Sequence, residues 1–151
     1  MREAIIQAQK AEKMNEVPVG AIIFDPILNV IVAKAHNMVE FYQNKLMHAE
    51  IIAINSAFQF CRNKDISHMM LFATLEPCIA CMSCIIKSGI KKIYYALDDC
   101  KYGSLNGQYE HITFNKKSIE IYQGILESES RYILTSFFKN IRERNQVVKK
   151  F

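Results

Sequence analysis

The sequence has no apolar run approaching the roughly 18 residues that a membrane-spanning helix requires, which argues against an integral helical membrane protein. No secretory leader is expected either: Met1 runs straight into Arg2, Glu3 and an amphipathic pattern, with no apolar core and no small-residue cleavage site. No internal repeat, low-complexity stretch or linker interrupts the 151 residues, so a multidomain or repeat architecture is not expected. With 23% charged and 50% hydrophobic residues, the chain carries too much apolar material for a disordered tail. The expectation is one cytoplasmic domain, residues 1–151, that buries a substantial core.

What the sequence does contain is unevenly placed. Residues 1–110 balance 11 basic against 11 acidic side chains, whereas the last 41 hold eight basic and four acidic, so the whole net charge of +4 lies at the C-terminal end. Lys116, Lys117, Arg131, Lys139, Arg142, Arg144, Lys149 and Lys150 make up that basic set. Such a tilt suits an anionic partner such as nucleic acid, and equally suits a solvated helix face. Of five cysteines, an odd number, three fall within Cys78–Cys84, a clustering that points to metal or redox chemistry before a disulfide framework.

Apolar periodicity orders the chain into alternating helices and strands. Residues 1–14 carry Ile5, Ala8 and Ala11 at helical spacing, and Pro18 ends any helix before Val19–Phe24, a short buried strand. Asp25-Pro26 and Asn29 form a turn into a second strand, Val30–Ala35. A polar stretch, His36–Leu46, precedes a helix over His48–Phe60. Met69–Thr74 is a strand, Cys78–Ser88 a helix capped by Gly89, Ile93–Leu97 a strand and Ile119–Tyr122 a short β-rich run. A long helix begins at Leu126. Alternation of this kind predicts an α/β fold with helices on both faces of a mixed sheet, at least one strand pair being antiparallel.

Three short pieces carry chemistry together: His48-Ala49-Glu50, Glu76-Pro77-Cys78 and Cys78-Ile79-Ala80-Cys81. Cysteines three apart at a helix start lie on one face, where free N–H groups and the positive end of the helix dipole favour thiolates. Pro77 fits just before that first turn. Soft thiolates with an imidazole favour zinc over calcium or magnesium, and His48, Cys78 and Cys81 supply three ligands. A structural zinc would want a fourth, and a catalytic one leaves the position to water, whose pKa falls to ~7 on the metal. Residues two apart on a helix diverge by roughly 200°, so His48 and Glu50 share a site only at the helix start. There Glu50 reaches past the metal and can shuttle a proton as general acid and base.

The order H-x-E…P-C-x-x-C is the signature of zinc-dependent nucleobase deaminases, in which the glutamate is not a ligand. The flanking segments extend the likeness. Glu16-Val17-Pro18-Val19-Gly20-Ala21, His36-Asn37, His48-Ala49-Glu50-Ile51, Thr74-Leu75-Glu76-Pro77-Cys78 and Gly124-Ile125-Leu126…Phe137-Phe138 resemble bacterial tRNA adenosine deaminases in sequence and order, over residues 2–144. The resemblance implies a cytidine-deaminase-like three-layer sandwich, with a five-stranded mixed sheet between helices. It implies conversion of adenosine to inosine at the first anticodon position of a tRNA, by a homodimer with one zinc ion per subunit. It further implies that Asn37 contacts the flipped base, that Asp99 in Asp99-Cys100-Lys101-Tyr102-Gly103 touches the nucleotide backbone, and that Phe138 lines the RNA groove.

Two departures from the family fall where RNA contacts are expected: Ser104-Leu105 follows Gly103 with no intervening small residues, and Gly89 replaces a basic residue. The shortened loop motivates a second reading, deamination of a free base or nucleoside such as guanine, cytosine or cytidine. A third is a non-catalytic RNA-binding module with structural zinc, for which Cys84 is the candidate fourth ligand. Cys84 otherwise reads as a core residue, and Cys61 and Cys100 as plain thiols. His36, His68 and His111 are the rival imidazoles. Glu76 is expected to hydrogen-bond beside the helix start, Phe137 and Phe138 to face one inward and one toward the groove, and Tyr94 and Tyr95 to alternate across a strand.

Overall fold

The structure, a computed structural model, describes residues 1–62, 64–105 and 119–148. His111 and the lysines at 116, 117, 149 and 150 lie outside the described residues. The elements follow in the order α1 (Arg2–Lys13), β1 (Gly20–Asp25), β2 (Val30–His36), α2 (Val39–Tyr42), α3 (Ala49–Phe60), β3 (Met70–Leu75), α4 (Ile79–Ser88), β4 (Lys92–Leu97), β5 (Glu120–Tyr122) and α5 (Glu127–Val148). Each expected helix and strand is present within a residue or two. The addition is α2, a single turn inside the stretch read as polar, closed by Gln43 in the left-handed region at φ 49°.

Five strands form one mixed sheet in the order β2-β1-β3-β4-β5. β1 runs antiparallel to both β2 and β3, in register Gly20 to His36 and Ala21 to Ala73. β3, β4 and β5 are parallel, Met70 facing Lys92 and Lys92 facing Glu120. Alternation along each strand sorts the side chains. Ala21, Ile23, Ala33, Ala35, Leu71, Ala73, Ile93 and Tyr95 face α3 and α4, and with Ala53, Ile54, Met82 and Ile85 they build the main core. On the other face Phe72, Tyr94 and Tyr122 stack in a row across β3, β4 and β5, with ring centroids 4.5 and 4.7 Å apart. The paired tyrosines of β4 therefore do alternate, Tyr95 wholly buried and Tyr94 in the stack.

α1 and α5 cover that second face. Ala4, Ala8 and Ala11 let α1 lie close on the sheet, and Gly20 is the contact point: a Cβ there would run into the Ala4 carbonyl. α5 is tied down by Ser130, whose hydroxyl donates to the Thr74 carbonyl at 2.5 Å, while the Thr74 hydroxyl accepts the Gly20 N–H at 3.0 Å. Because β1 is antiparallel to β3 and β2 antiparallel to β1, one edge of the sheet gathers the start of β1, the end of β2 and the ends of β3 and β4. Everything expected to act lies at that edge. Ligand sites outside the carboxyl ends of parallel strands are the general rule for open α/β sheets.

Candidate active site

His48 is the N-cap of α3, with extended backbone at φ −75° and ψ 148°, and Cys78 is the N-cap of α4 at φ −68° and ψ 170°. Cys81 lies one turn into α4. Two helix starts thus face each other across the sheet edge, and the three donor atoms all lie within 4.8 Å of one another. His48 Nδ1 is 3.3 Å from Cys81 Sγ and 3.6 Å from Cys78 Sγ. Tetrahedral zinc, with bonds of ~2.3 Å to sulfur and ~2.0 Å to nitrogen, needs donor separations of ~3.5–3.8 Å. The two distances from His48 lie within a few tenths of an ångström of that requirement, so the donor set fits zinc after small side-chain adjustments.

Local electrostatics favour the thiolate at Cys78 alone. Cys78 is pulled down to about 4, first by the hydrogen bond from Cys81 and then by His48. Cys81 is pushed up by the Cys78 thiolate beside it and by burial, and His48 is raised by its hydrogen bond to Cys78. Glu50, in the first turn of α3 and 4% exposed, is pushed up to about 7 by burial. A carboxyl that titrates near neutrality is suited to both taking and giving a proton. The helix-start position is what lets His48 and Glu50 serve one site, since His48 is still in extended conformation.

A cavity of about 1100 Å³ opens onto these residues, and Asn37, His48, Glu50, Cys78, Asp99 and Phe138 all line it. Val17, Val19, Leu75, Ile79 and Leu134 make its apolar wall. Of the residues expected at the site, only Cys81, wholly buried behind His48 and Cys78, does not itself line the cavity. Phe137 is buried and Phe138 is 40% exposed, their rings edge to face at 5.5 Å, so one turns inward and one toward the cavity. Cys84 packs against the core and is not among the donors that converge, and no other donor cluster of this kind occurs among the described residues. His36 spends its Nδ1 on the Asn37 carbonyl at 3.0 Å, and His68 pairs with Asp25 at the far end of β1.

Glu76 is the hydrogen-bonding residue it was expected to be, and it organises the loop after β4. Its carboxylate accepts the Asp99 N–H at 3.0 Å and the Leu105 N–H at 2.7 Å. Gly103 pairs with Cys78 in an isolated bridge, and a Cβ on Gly103 would collide with the Glu76 carboxylate. Ser104 then bonds the Pro77 carbonyl through both its N–H, at 3.2 Å, and its hydroxyl, at 2.8 Å. The shortened loop is thus fastened directly beneath the zinc helix.

Glu16 is the residue whose part was not read from the sequence. Wholly buried, it accepts Asn37 Nδ2 at 3.1 Å, the Glu40 N–H at 3.1 Å and the Phe41 N–H at 2.7 Å. An ionised carboxylate only accepts, so it dictates which end of the Asn37 amide faces it. The Asn37 Oδ1 and the second N–H remain for the cavity. No local pattern announces a bond across 21 residues.

Known proteins agree with this geometry. Residues 1–97 match the model of the cytidine and deoxycytidylate deaminase zinc-binding region. The chain is 41% identical over 147 residues to the tRNA-specific adenosine deaminase of Rickettsia bellii, covering 95% of this chain and 100% of that protein. It is 33% identical over 153 residues to the tRNA-specific adenosine deaminase of Bacillus subtilis, covering 99% and 93%. A solved structure from work on A-to-I editing at the wobble position of transfer RNA superposes with a TM-score of 0.81 at 29% identity, covering 89% of this chain and 97% of that one. A guanine deaminase from Nitrosomonas europaea shares the fold alone, at TM-score 0.74 and 19% identity. With a zinc site of one histidine and two cysteines, a cytidine-deaminase-like sheet and relatives matched along nearly their whole length, this chain belongs to the tRNA-specific adenosine deaminases of the cytidine and deoxycytidylate deaminase zinc-binding family.

Proposed function

We propose that this protein deaminates adenosine at the first anticodon position of tRNA, as a homodimer with one zinc ion per subunit. The carrying observation is the convergence of His48, Cys78 and Cys81 on one point with Glu50 buried beside them, at a cavity of about 1100 Å³. It occurs in a chain matched end to end by tRNA-specific adenosine deaminases. Bound zinc supplies the Lewis acidity that brings the pKa of a water to ~7.

The chain's own residues do the rest. Glu50 takes a proton from the attacking water and delivers it to N1 of adenine, then passes the second proton of that water to the departing amine. A C6–O bond forms and the C6–N bond breaks, so adenosine and water become inosine and ammonia. Asn37, oriented by Glu16, holds the base edge, and Asp99 and Phe138 stand where the flanking nucleotide passes. Extrusion of the base costs little in a single-stranded loop. Phe41 and Tyr42, their rings 5.0 Å apart, are exposed apolar side chains next to the Glu16-held segment and are open to contact with a second subunit.

The test is inosine formation in bulk bacterial tRNA by zinc-loaded protein. Inosine at the first anticodon position, reduced at least ~100-fold by Glu50→Ala with zinc content unchanged, is the expected result. Ammonia released from guanine or cytosine, with no inosine in tRNA, would overturn the substrate in favour of a free base.

A further inference from the structure

Tyr102 stands at the mouth of the cavity with about half of its surface, 52%, exposed. Exposed aromatic rings on mobile loops are common; this one is mounted on a fixed loop. Asp99 Oδ1 accepts the N–H groups of Lys101 at 2.9 Å and Tyr102 at 3.0 Å. The Gly103 N–H returns to the Asp99 carbonyl at 2.9 Å, and the buried Glu76 holds Asp99 from below. The loop backbone is therefore anchored to the residues that begin the zinc helix. Lys101 Nζ lies over the ring, 4.9 Å from its centroid, so the cation covers one aromatic face and a base would stack on the other. Phe138 is half exposed on the same cavity.

The size of the cavity leaves room for a further group beside the target base. Pockets for a single drug-sized ligand run to ~300–1,000 Å³. A cavity of about 1100 Å³ exceeds the volume needed for one extruded purine nucleoside. We propose that Tyr102 is a stacking shelf for a nucleobase that flanks the target adenosine, with Lys101 meeting the phosphate beside it. This deepens the tRNA reading and rests on it. Stacking on a preorganised ring recognises the π-face of a base and tolerates its identity, while the cation adds the phosphate contact. A free nucleoside has no flanking base, so the shelf would have no partner with that substrate.

The test is a double-mutant cycle between protein and RNA. Zinc-loaded wild type, Tyr102→Ala and Tyr102→Phe are assayed on an anticodon stem-loop, intact or with an abasic nucleotide on the 5′ or the 3′ side of the target. Tyr102→Ala should weaken binding roughly 5- to 150-fold, as the loss of one stacked base does, with the loss falling on KM rather than kcat. Tyr102→Phe should restore affinity to within about threefold, and zinc content should be equal in all three. On one of the two abasic RNAs the wild type should fall to the Tyr102→Ala level, and Tyr102→Ala should lose little more, because the partner ring is already gone. Equal affinity of Tyr102→Ala and wild type, or losses that simply add on both abasic RNAs, would overturn the shelf while leaving inosine formation intact. A wild type that makes no inosine in any tRNA would overturn the reading beneath it instead.

Discussion

A carboxylate surrounded by the Asn37 amide and the Glu40 and Phe41 N–H groups, as Glu16 is, has every contact made through acceptance. Glutamine offers one acceptor and an NH₂, and the NH₂ would meet a donor wherever it turned. Glu16→Gln should therefore cost about 1–3 kcal/mol of stability in urea melts, the penalty of a buried donor left without a partner. It should also raise KM for tRNA, because the Asn37 amide loses the group that orients it, while zinc content stays at the wild-type level. Loss of zinc with loss of activity would show that Glu16 acts on the metal site and not on the base. At this scale the sequence was most legible where chemistry is local. His48 with Glu50, and Cys78 with Cys81, are neighbours in the chain and neighbours at the site. Glu16 and Asn37 are neighbours only after β1 and β2 have paired.

Helix starts and strand ends carry the functional groups here, so each element is defined by its boundary. α3 and α4 start at His48 and Cys78 with no side-chain capping bond, which leaves those side chains turned to each other. At the other end of β1, Asp25 closes the hairpin turn: its Oδ1 accepts the N–H groups of Ile27 at 2.8 Å and Leu28 at 3.0 Å, and its Oδ2 faces His68 Nε2 at 3.3 Å. The Leu28 N–H above all, with His68 and Ile27, holds the Asp25 carboxyl below its ordinary value of 3.8. A carboxyl depressed in the folded state contributes stability above its unfolded pKa and loses it as pH falls through the folded value. The stability gap between wild type and Asp25→Asn should be full at pH ~7 and shrink below pH ~4, measured by urea melts at both. A gap independent of pH would mean that the ionised carboxylate contributes nothing beyond its shape. α2 shows the limit of pattern reading: a single turn of four residues is too short to display a helical period.

Across the whole molecule, the basic residues of α5 among the described residues divide into distinct roles. Arg131 is paired with Glu127, Arg144 reaches Asn15 Oδ1 at 3.2 Å, and Lys139 and Arg142 are exposed on the helix that also carries Phe138 into the cavity wall. If this helix meets the phosphate backbone, tRNA affinity falls steeply with salt, and Arg142→Ala lowers the slope of log K against log salt by about one contact, ~0.7–0.9. Affinity that ignores salt would favour a small-molecule substrate. Among the described residues no helix is long and apolar enough to cross a membrane, in keeping with the absence of long apolar runs.

By itself the sequence determined the alternation of elements and the two halves of the site, His48 with Glu50 and Cys78 with Cys81, because hydrophobic period, helix-start chemistry and ligand spacing act over a few neighbouring residues. Only the tertiary structure decided which edge of the sheet collects them. The antiparallel setting of β1 against β2 and β3 brings Glu16 to Asn37, and the parallel crossover through α4 brings the Asp99–Gly103 loop over Glu76. Those contacts join residues more than 20 positions apart, and their partners are chosen by strand register and buried hydrogen bonding, which no local stretch of sequence encodes.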